Sequence, residues 1–300
     1  MKSYLSLVPI SAKVRKRQNR MTILCVIISI FLVTAIFSVA DMMIRTQSDR
    51  MTGKNGSWHI ELDGISQETA LKIAERDDVV SIGAVTIFNP DGELPYRMDG
   101  KRVVLYGIDE SYLTMNSTGA AEGRFPQGMG EIMLSSNAAR VLQVAVGDTV
   151  TLRTPSGDWD FTVSGLGGVE ESYYSGQYSL MDAYLPRTAF AALMEQNNVH
   201  NLQTSYYVQF TSASKAAKAI PELTAQHNLP ENAVSENTGV MAIAGYSDSS
   251  AAKNVYSLAA VLFVLVLLAG VLMISGSMNS NLAQRIQFFG MMRCIGMSKS

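Results

Sequence analysis

A run of about twenty residues without a charged side chain, from Ser257 to Gly276, constrains the fold of this chain more than any other feature. At about 1.5 Å per helical residue, such a run crosses a hydrocarbon layer of about 30 Å. A second run, from Met21 to Ala40, has the same length and also lacks charge. The sequence therefore predicts two membrane-spanning helices with a domain-sized segment between them.

The charges beside the two runs predict the orientation of the chain. Six Lys and Arg residues precede the first run, and Arg285, Arg293 and Lys299 follow the second, with no acidic residue in either flank. Because basic flanks stay on the cytoplasmic side, we expect both termini in the cytoplasm of a multi-pass cell-membrane protein. The predicted order is a cytoplasmic segment 1–20, a first span 21–43, an extracytoplasmic segment 44–255, a second span 256–277 and a cytoplasmic helix 278–300.

The first span has an alternative interpretation as a signal sequence. Ser38-Val39-Ala40 has small residues at the positions that a signal peptidase requires. The apolar run and the basic segment before it are both longer than in a usual signal peptide. An uncleaved anchor is therefore the favoured interpretation, and a mature N-terminus at Asp41 would contradict it.

The segment between the two runs is strongly acidic. It holds all 26 acidic residues of the chain but only 15 of the 24 Lys and Arg, a net charge of −11 in a chain whose total is −2. An acidic surface disfavours nucleic acid as a partner. The basic flanks suit the anionic inner leaflet of a membrane, so the lipid bilayer is the expected partner there.

The same segment has the pattern of an α+β domain. Strand, helix and strand patterns follow each other over about 57–110 and recur over about 200–240, and a β-rich insertion at about 111–185 separates them. The two cysteines, Cys25 and Cys294, lie outside this segment, so its stability requires a hydrophobic core. The predicted fold is a two-span α-helical membrane hairpin carrying a large α+β extracytoplasmic domain with a β-rich inserted subdomain.

The sequence offers no constellation of catalytic residues. Its three histidines, His59, His200 and His227, lie far apart, and no spacing of Cys, His and carboxylates is typical of a metal site. No phosphate-binding GxxxxGK[ST] motif occurs. We therefore expect no catalytic residue, cofactor or metal, and a membrane-anchored enzyme is disfavoured.

Short motifs within the insertion follow each other in a distinctive order. They are Glu122-Gly123-Arg124-Phe125, Glu131-Ile132-Met133-Leu134, Leu142, Gly147-Asp148-Thr149-Val150 and Phe161-Thr162-Val163-Ser164-Gly165. Gly147-Asp148 fits a turn that enters a strand, and alternation in the two later strands buries one face. In order and spacing, these motifs resemble the extracytoplasmic core domain of the FtsX-like, MacB-type permeases of ABC transporters.

A second stretch, from Gln284 to Lys299, resembles the cytoplasmic segment of the same family, on which the ATPase subunit docks. Gln284 and Phe288 stand where acidic residues are common in the family, and Gln287 stands where a basic residue is common. The resemblance assigns ATPase docking to six residues: Arg285, Phe289, Gly290, Met292, Arg293 and Gly296.

The resemblance covers nearly the whole chain and implies a membrane subunit without catalytic residues of its own. A separate ABC ATPase would bind and hydrolyse ATP, and a second permease copy or homologue would complete the transporter. The expected role is export or mechanical signalling that involves peptides, antibiotics or lipoproteins. Members of the family continue with at least two further spans, so the chain is expected to be the N-terminal part of a permease.

A two-span receptor is the alternative function. Such a receptor would continue from the second span into a heptad-patterned helix. The segment from Asn279 to Met297 has no regular a/d repeat and contains Gly290 and Gly296, which disfavours a coiled coil. A kinase domain encoded downstream in frame would support the receptor, whereas a neighbouring ATPase gene would support the permease.

Overall fold

The computed structural model describes residues 16–116, 120–167, 180–244 and 251–294. The chain divides into two compact units. We call residues 1–46 and 251–300 the helical unit and residues 47–250 the globular unit.

The described residues form helices and strands in the following order. They are α1 (Lys16–Asn55), β1 (Ile60–Leu62), α2 (Gln67–Ala74), β2 (Val79–Phe88), β3 (Arg97–Met98), β4 (Lys101–Ile108), α3 (Glu110–Met115), β5 (Ala120–Gly123), β6 (Glu131–Leu134), α4 (Ser136–Leu142), β7 (Thr149–Thr154), β8 (Gly157–Gly167), β9 (Leu180–Pro186), α5 (Arg187–Gln196), β10 (Thr204–Phe210), α6 (Ala213–His227), β11 (Val234–Glu236), α7 (Thr238–Ile243) and α8 (Ala251–Cys294).

The helical unit consists of parts of α1 and α8. The stretches Ile23–Asn55 and Lys253–Gly276 within these helices are long and apolar enough to cross a membrane. Most of their large apolar side chains are exposed, as expected for side chains that face lipid. The two spans predicted from the sequence are thus both helical.

Small and aromatic side chains bring α1 and α8 together within the helical unit. The rings of Phe37 and Phe263 lie 5.7 Å apart. A Cβ atom built on Gly270 would lie 3.2 Å from the Ser29 hydroxyl oxygen, so the backbone of α8 approaches α1 closely there. Gly270 lies further along α8 than Phe263, but its neighbour Ser29 lies earlier in α1 than Phe37. The two helices therefore run antiparallel. Close approach at small residues is typical of packing between membrane helices.

The eleven described strands of the globular unit form one sheet, in the order β11-β1-β10-β2-β4-β3-β7-β8-β6-β9, with β5 beside β8. An additional parallel pairing joins β9 to β4. This pairing closes β4, β3, β7, β8, β6 and β9 into a ring, so every strand of the ring has two neighbours. The β-rich insertion therefore forms a small barrel that shares β4 with the flanking strands.

Hydrophobic side chains fill the inside of this ring. Phe161 and Val163 of β8 meet Leu105 of β4 and Leu185 of β9, all nearly inaccessible to solvent. Leu193 of α5 belongs to the same core. Strand β4, which also belongs to the flanking sheet, therefore contributes side chains to the core of the barrel.

Helices cover both faces of the flanking sheet, β11-β1-β10-β2-β4. On one face, Ile73 of α2 and Leu223 of α6 pack against Ile60 and Val208. On the other face, α3 approaches β2 at Gly83, where a Cβ atom would lie 2.5 Å from the Cα atom of Tyr112. The position of α3 therefore depends on the absence of a side chain at residue 83.

Candidate functional site

The first candidate site is the segment that the sequence predicts to dock an ATPase. Positions 285, 289, 290, 292 and 293 all lie within α8, which continues as a helix to Cys294, whereas Gly296 lies outside the described residues. In a helix, positions 285, 289 and 292 follow at intervals of four and three and therefore share one face. The helix predicted for this segment is present as far as Cys294, and the docking role stays a prediction.

The second candidate site is the junction where α1 ends inside the globular unit. The helix passes through Gly53, whose surroundings are open, and ends at Asn55. Gly56 has a φ of +84° and donates its N–H to the Thr52 carbonyl at 2.9 Å. Because left-handed φ values favour glycine, Gly56 supplies the conformation that ends the helix. A helix break at Gly53, which its residue type favours, does not occur.

A buried side chain from the far end of the domain holds this helix end. The amide nitrogen of Asn237, which is 3% exposed, donates to the carbonyl oxygens of Trp58 at 3.0 Å and Asn55 at 3.3 Å. The Gly56 carbonyl oxygen lies 3.5 Å from the same nitrogen. The last carbonyls of a helix lack partners within the helix, so an amide donor at this place satisfies them.

The rest of Asn237 fixes α7 in the same place. Its side-chain oxygen accepts the Val240 N–H at 3.3 Å and caps α7, and its backbone N–H donates to the His59 carbonyl at 2.9 Å. A Cβ atom built on Gly239 would collide with the side-chain amide of Asn55. The beginning of α7 therefore lies directly against the end of α1.

The end of α3 contacts the junction from another direction. The Met115 carbonyl accepts the backbone N–H of Ser57 at 2.6 Å and the Ser57 hydroxyl at 3.3 Å. The Trp58 ring makes an edge contact with Tyr207 at 4.8 Å between centroids. Tyr207 in turn donates its hydroxyl to Glu61 at 2.8 Å, and burial raises the pKa of that carboxyl. Helices α3 and α7 and strand β10 together hold the chain where α1 ends.

The structure explains the motif order that carries the family resemblance. Arg124 makes a bidentate ion pair with Glu131, whose carboxylate also accepts the backbone N–H of Gln127 at 2.8 Å. A Cβ atom on Gly165 would collide with the Arg124 carbonyl oxygen, and the Ser164 hydroxyl donates to that oxygen at 3.3 Å. These residues fasten the loop after β5 to β6 and β8, so the motifs serve the packing of the barrel.

The ion pair between Arg124 and Glu131 predicts a pH-dependent contribution to stability. The Arg124 guanidinium lowers the pKa of Glu131 to about 2 from 4.5. The stabilisation is therefore present above about pH 4.5 and is lost as the pH falls towards 2. We expect Glu131→Gln to lower the melting temperature at pH 7 by about 2–4 °C, or about 1 kcal/mol for a partly exposed pair. The difference from the wild type should shrink at pH 3.

Thermal unfolding of the two proteins at pH 7 and pH 3 tests this expectation. Glu122→Gln is the matched control, because Glu122 lies in the motif that contains Arg124, is exposed, and its side chain has no hydrogen bond or ion pair among the described residues. If Glu131→Gln were as stable as Glu122→Gln at pH 7, the ion pair between Arg124 and Glu131 would not stabilise the fold.

The described residues hold no group of three or more His, Cys, Asp or Glu side chains that could bind a metal ion. Burial raises the pKa of Asp109 and of Asp182, but Asp109 accepts two backbone N–H groups and Asp182 accepts a hydrogen bond from Tyr106. Both carboxyls are thus satisfied within the fold, which suits a structural role better than acid–base chemistry.

The family of the chain follows from its sequence over most of its length. Residues 21–226 match the model of the MacB-like periplasmic core domain. The chain belongs to this family. It is an FtsX-like, MacB-type permease of the ABC transporter class, a membrane protein with an extracytoplasmic core domain. Permeases of this class work with an ATPase partner.

Solved structures of MacB-like and permease domains resemble the globular unit at low sequence identity. The periplasmic region of MacB from Actinobacillus actinomycetemcomitans is 14% identical, with a TM-score of 0.45, over 63% of this chain and 93% of that one. The extracellular domain of the transporter YknZ from Gram-positive bacteria is 16% identical, with a TM-score of 0.42, over 60% and 98%. A domain of a putative permease from Porphyromonas gingivalis is 16% identical, with a TM-score of 0.37, over 60% and 86%.

No curated protein sequence matches the chain. Within this MacB-like permease, the sequence alone did not identify the junction at Asn237. An Asn immediately before the helix Thr238–Ile243 is a recognisable N-cap signal. Its contacts with Asn55 and Trp58 join residues about 180 positions apart, and no local pattern indicates them.

Proposed function

We propose that this permease converts ATP hydrolysis by a partner ATPase into movement of the globular unit. Both termini lie in the cytoplasm, and residues 44–255 lie outside the membrane. The cargo class is peptide, antibiotic or lipoprotein, and the movement serves export or mechanical signalling. The membership of the chain in the MacB-like family supports the proposal, because permeases of this family carry such a core domain outside the membrane.

Two further features support the proposal. Helix α1 continues without interruption from the first apolar run to Asn55, where the globular unit holds it. Helix α8 continues beyond the second apolar run to Cys294 and carries five of the six predicted docking positions. A continuous helix is stiff over its length, so a displacement at one end is carried to the other. The transporter contains a second permease copy or homologue, which would present its own docking segment to the ATPase partner.

Loss of ATPase association is the expected result of changing the docking segment. The full-length permease would be co-expressed with its ATPase, and the amount of ATPase that co-purifies would be measured. Arg293→Glu should reduce association at least tenfold, because it reverses a charge in the predicted interface. Met291→Pro should have a similar effect, because proline interrupts the helix that presents the docking positions.

Lys218→Glu is the matched control. Lys218 is an exposed residue of α6 in the globular unit, and its reversal changes the net charge by the same amount. Association that stays at the wild-type level in Arg293→Glu and Met291→Pro would contradict docking at this segment. If the wild-type protein itself retains no ATPase, the proposed conversion of ATP hydrolysis into movement of the globular unit fails.

A further inference from the structure

The end of α1 is a natural bending point in the chain. Gly53 and Gly56 lie within one turn of each other, and glycine weakens a helix by about 1 kcal/mol relative to alanine. A displacement of α1 would therefore bend the chain at residues 53–58 unless other groups held it. Asn237 supplies such a group, since its amide spans the carbonyls of Asn55 and Trp58 on either side of Gly56.

We propose that Asn237 is the coupling residue that makes the end of α1 and the return segment α7 move as one piece. The inference rests on the proposed function, in which α1 transmits movement to the globular unit. One side chain joins the segment that follows the first span to the segment that precedes the second. A force that arrives along α1 then reaches both connections of the globular unit together.

The packing at Gly239 supports this coupling independently of the hydrogen bonds. The space that a Cβ atom of residue 239 would occupy is filled by the Asn55 amide, so α7 and the end of α1 touch without a gap. Met241, two residues further along α7, is completely buried and belongs to the core of the flanking sheet. The contact therefore connects α1 to the sheet through α7 rather than to a loose surface segment.

Asn237→Asp separates coupling from helix capping. The aspartate keeps an oxygen that can cap α7, but it cannot donate a hydrogen bond and places a negative charge against the carbonyl oxygens of Asn55 and Trp58. Ser135→Ala is the control, because Ser135 caps α4 in the barrel through the Ala138 N–H at 3.1 Å and makes no hydrogen bond to the junction among the described residues. Both variants are expected to destabilise the protein, but only Asn237→Asp should loosen the junction.

Amide hydrogen exchange of the full-length protein in nanodiscs is the first measurement. We expect residues 56–59 to exchange at least tenfold faster in Asn237→Asp than in the wild type and at the wild-type rate in Ser135→Ala. The second measurement is the distance between spin labels at Asp49 in α1 and Glu68 in α2, both exposed, in a background without Cys25 and Cys294. In the complex trapped with ATP and vanadate, the distribution of distances between the two labels should stay narrow in the wild type. In Asn237→Asp its width should at least double.

If Asn237→Asp unfolds more of the protein than the junction, a disulfide bond that replaces the contacts of Asn237 keeps the inference testable. The pair Asn55→Cys and Gly239→Cys removes the amide that fills the space beside residue 239 and leaves room for a disulfide. Introduced together with Asn237→Ala, the pair should restore slow exchange of residues 56–59 under oxidising conditions and lose it on reduction. Slow exchange and a narrow distribution in Asn237→Asp, or no redox effect on the cysteine pair, would overturn the inference.

The two proposals fail in different ways. If no ATPase co-purifies with the wild-type protein, the proposed coupling to a partner ATPase is wrong, and the exchange measurement still decides whether Asn237 holds the junction. If the ATPase binds and hydrolyses ATP normally with Asn237→Asp and the label distribution stays narrow, only the assignment of Asn237 is wrong.

Discussion

Replacing Gly83 with alanine is expected to lower the free energy of unfolding of the globular unit by about 3 kcal/mol. Gly83 is buried in β2, where α3 crosses the sheet. The added methyl group would lie 2.5 Å from the Tyr112 Cα atom and 2.7 Å from the Met115 Cε atom. Met115 could move its flexible side chain, but the backbone at Tyr112 can move only if α3 is displaced.

Displacement of α3 would break a further set of contacts. The Asp109 carboxylate caps α3 by accepting the Tyr112 N–H at 2.8 Å and also accepts the Ala84 N–H at 2.9 Å. Through Asp109 the two bonds together tie the start of α3 to β2, and burial of the carboxylate makes their loss costly. The effect of the substitution should therefore lie at the upper end of the range for overpacked cores.

Thermal unfolding followed by tryptophan fluorescence tests this expectation. A loss of about 3 kcal/mol corresponds to a decrease in melting temperature of about 6–12 °C for a unit of this size. Gly130→Ala is the control, because no atom lies within 4 Å of the position that its Cβ would occupy. It should change the melting temperature by less than about 2 °C. Equal stability of the two variants would show that α3 adjusts without cost.

Local signals in the sequence predicted the elements that carry their own caps and periodicity. Residues Val79–Phe88, Lys101–Ile108 and Glu131–Leu134 are rich in β-branched and other apolar side chains, which favours strands, and each range forms a strand with these bounds. Ser66 and Ser135 are residue types that favour N-cap positions, and they cap α2 and α4 by accepting backbone N–H groups at 3.1 Å. In each case the information lies within a few residues, so the sequence alone contains it.

Elements without such signals were not predicted. Helix α5 begins at Pro186, which makes no side-chain cap, and its first turn has no acidic residue. Its apolar face is held by the core, through Leu193 and the contact of Phe190 with Gly107. The parallel pairing of β9 with β4, which closes the barrel, also joins residues about 80 positions apart. Tertiary contacts rather than local preference determine these features.

The two candidate sites differ in the same way. The docking positions from Arg285 to Gly296 were assigned by resemblance to a family. A basic helix beside a membrane carries no sequence pattern that identifies the protein it contacts. The junction came only from the fold, since the partners of Asn237 lie at the opposite end of the globular unit in sequence. A sequence pattern identified the segment proposed to contact another protein, and the structure identified the contact within this one.

Replacing Phe161 with alanine is expected to lower the free energy of unfolding by about 3–5 kcal/mol. Phe161 is 1% exposed and lies inside the closed ring of strands, where its ring stacks on Trp159 at 6.0 Å between centroids. Every strand of the ring has a partner on both sides, so the backbone cannot easily collapse onto the cavity that the substitution leaves. Phe161→Leu, which keeps most of the apolar volume, should lose about 1 kcal/mol.

The extent of the unfolding is as informative as its size. Strand β4 belongs to the ring and also to the flanking sheet, and its Val103 and Leu105 lie in the same core as Phe161. If the shared strand makes the globular unit cooperative, a cavity in the barrel should lower the melting temperature of both parts equally. An insertion that folded as a separate subdomain would instead melt first and leave the flanking sheet intact.

The two tryptophans of the chain, Trp58 and Trp159, distinguish these outcomes. Trp58 contacts Tyr207 of the flanking sheet, whereas Trp159 lies in the barrel. In Trp159→Phe the remaining Trp58 reports on the flanking sheet, and in Trp58→Phe the remaining Trp159 reports on the barrel. With Phe161→Ala in both backgrounds, we expect coincident midpoints, each lower than in the matching parent by about 6–20 °C. Separate transitions, with the Trp159 signal changing at the lower temperature, would mean that β4 does not couple the barrel to the sheet that holds the end of α1.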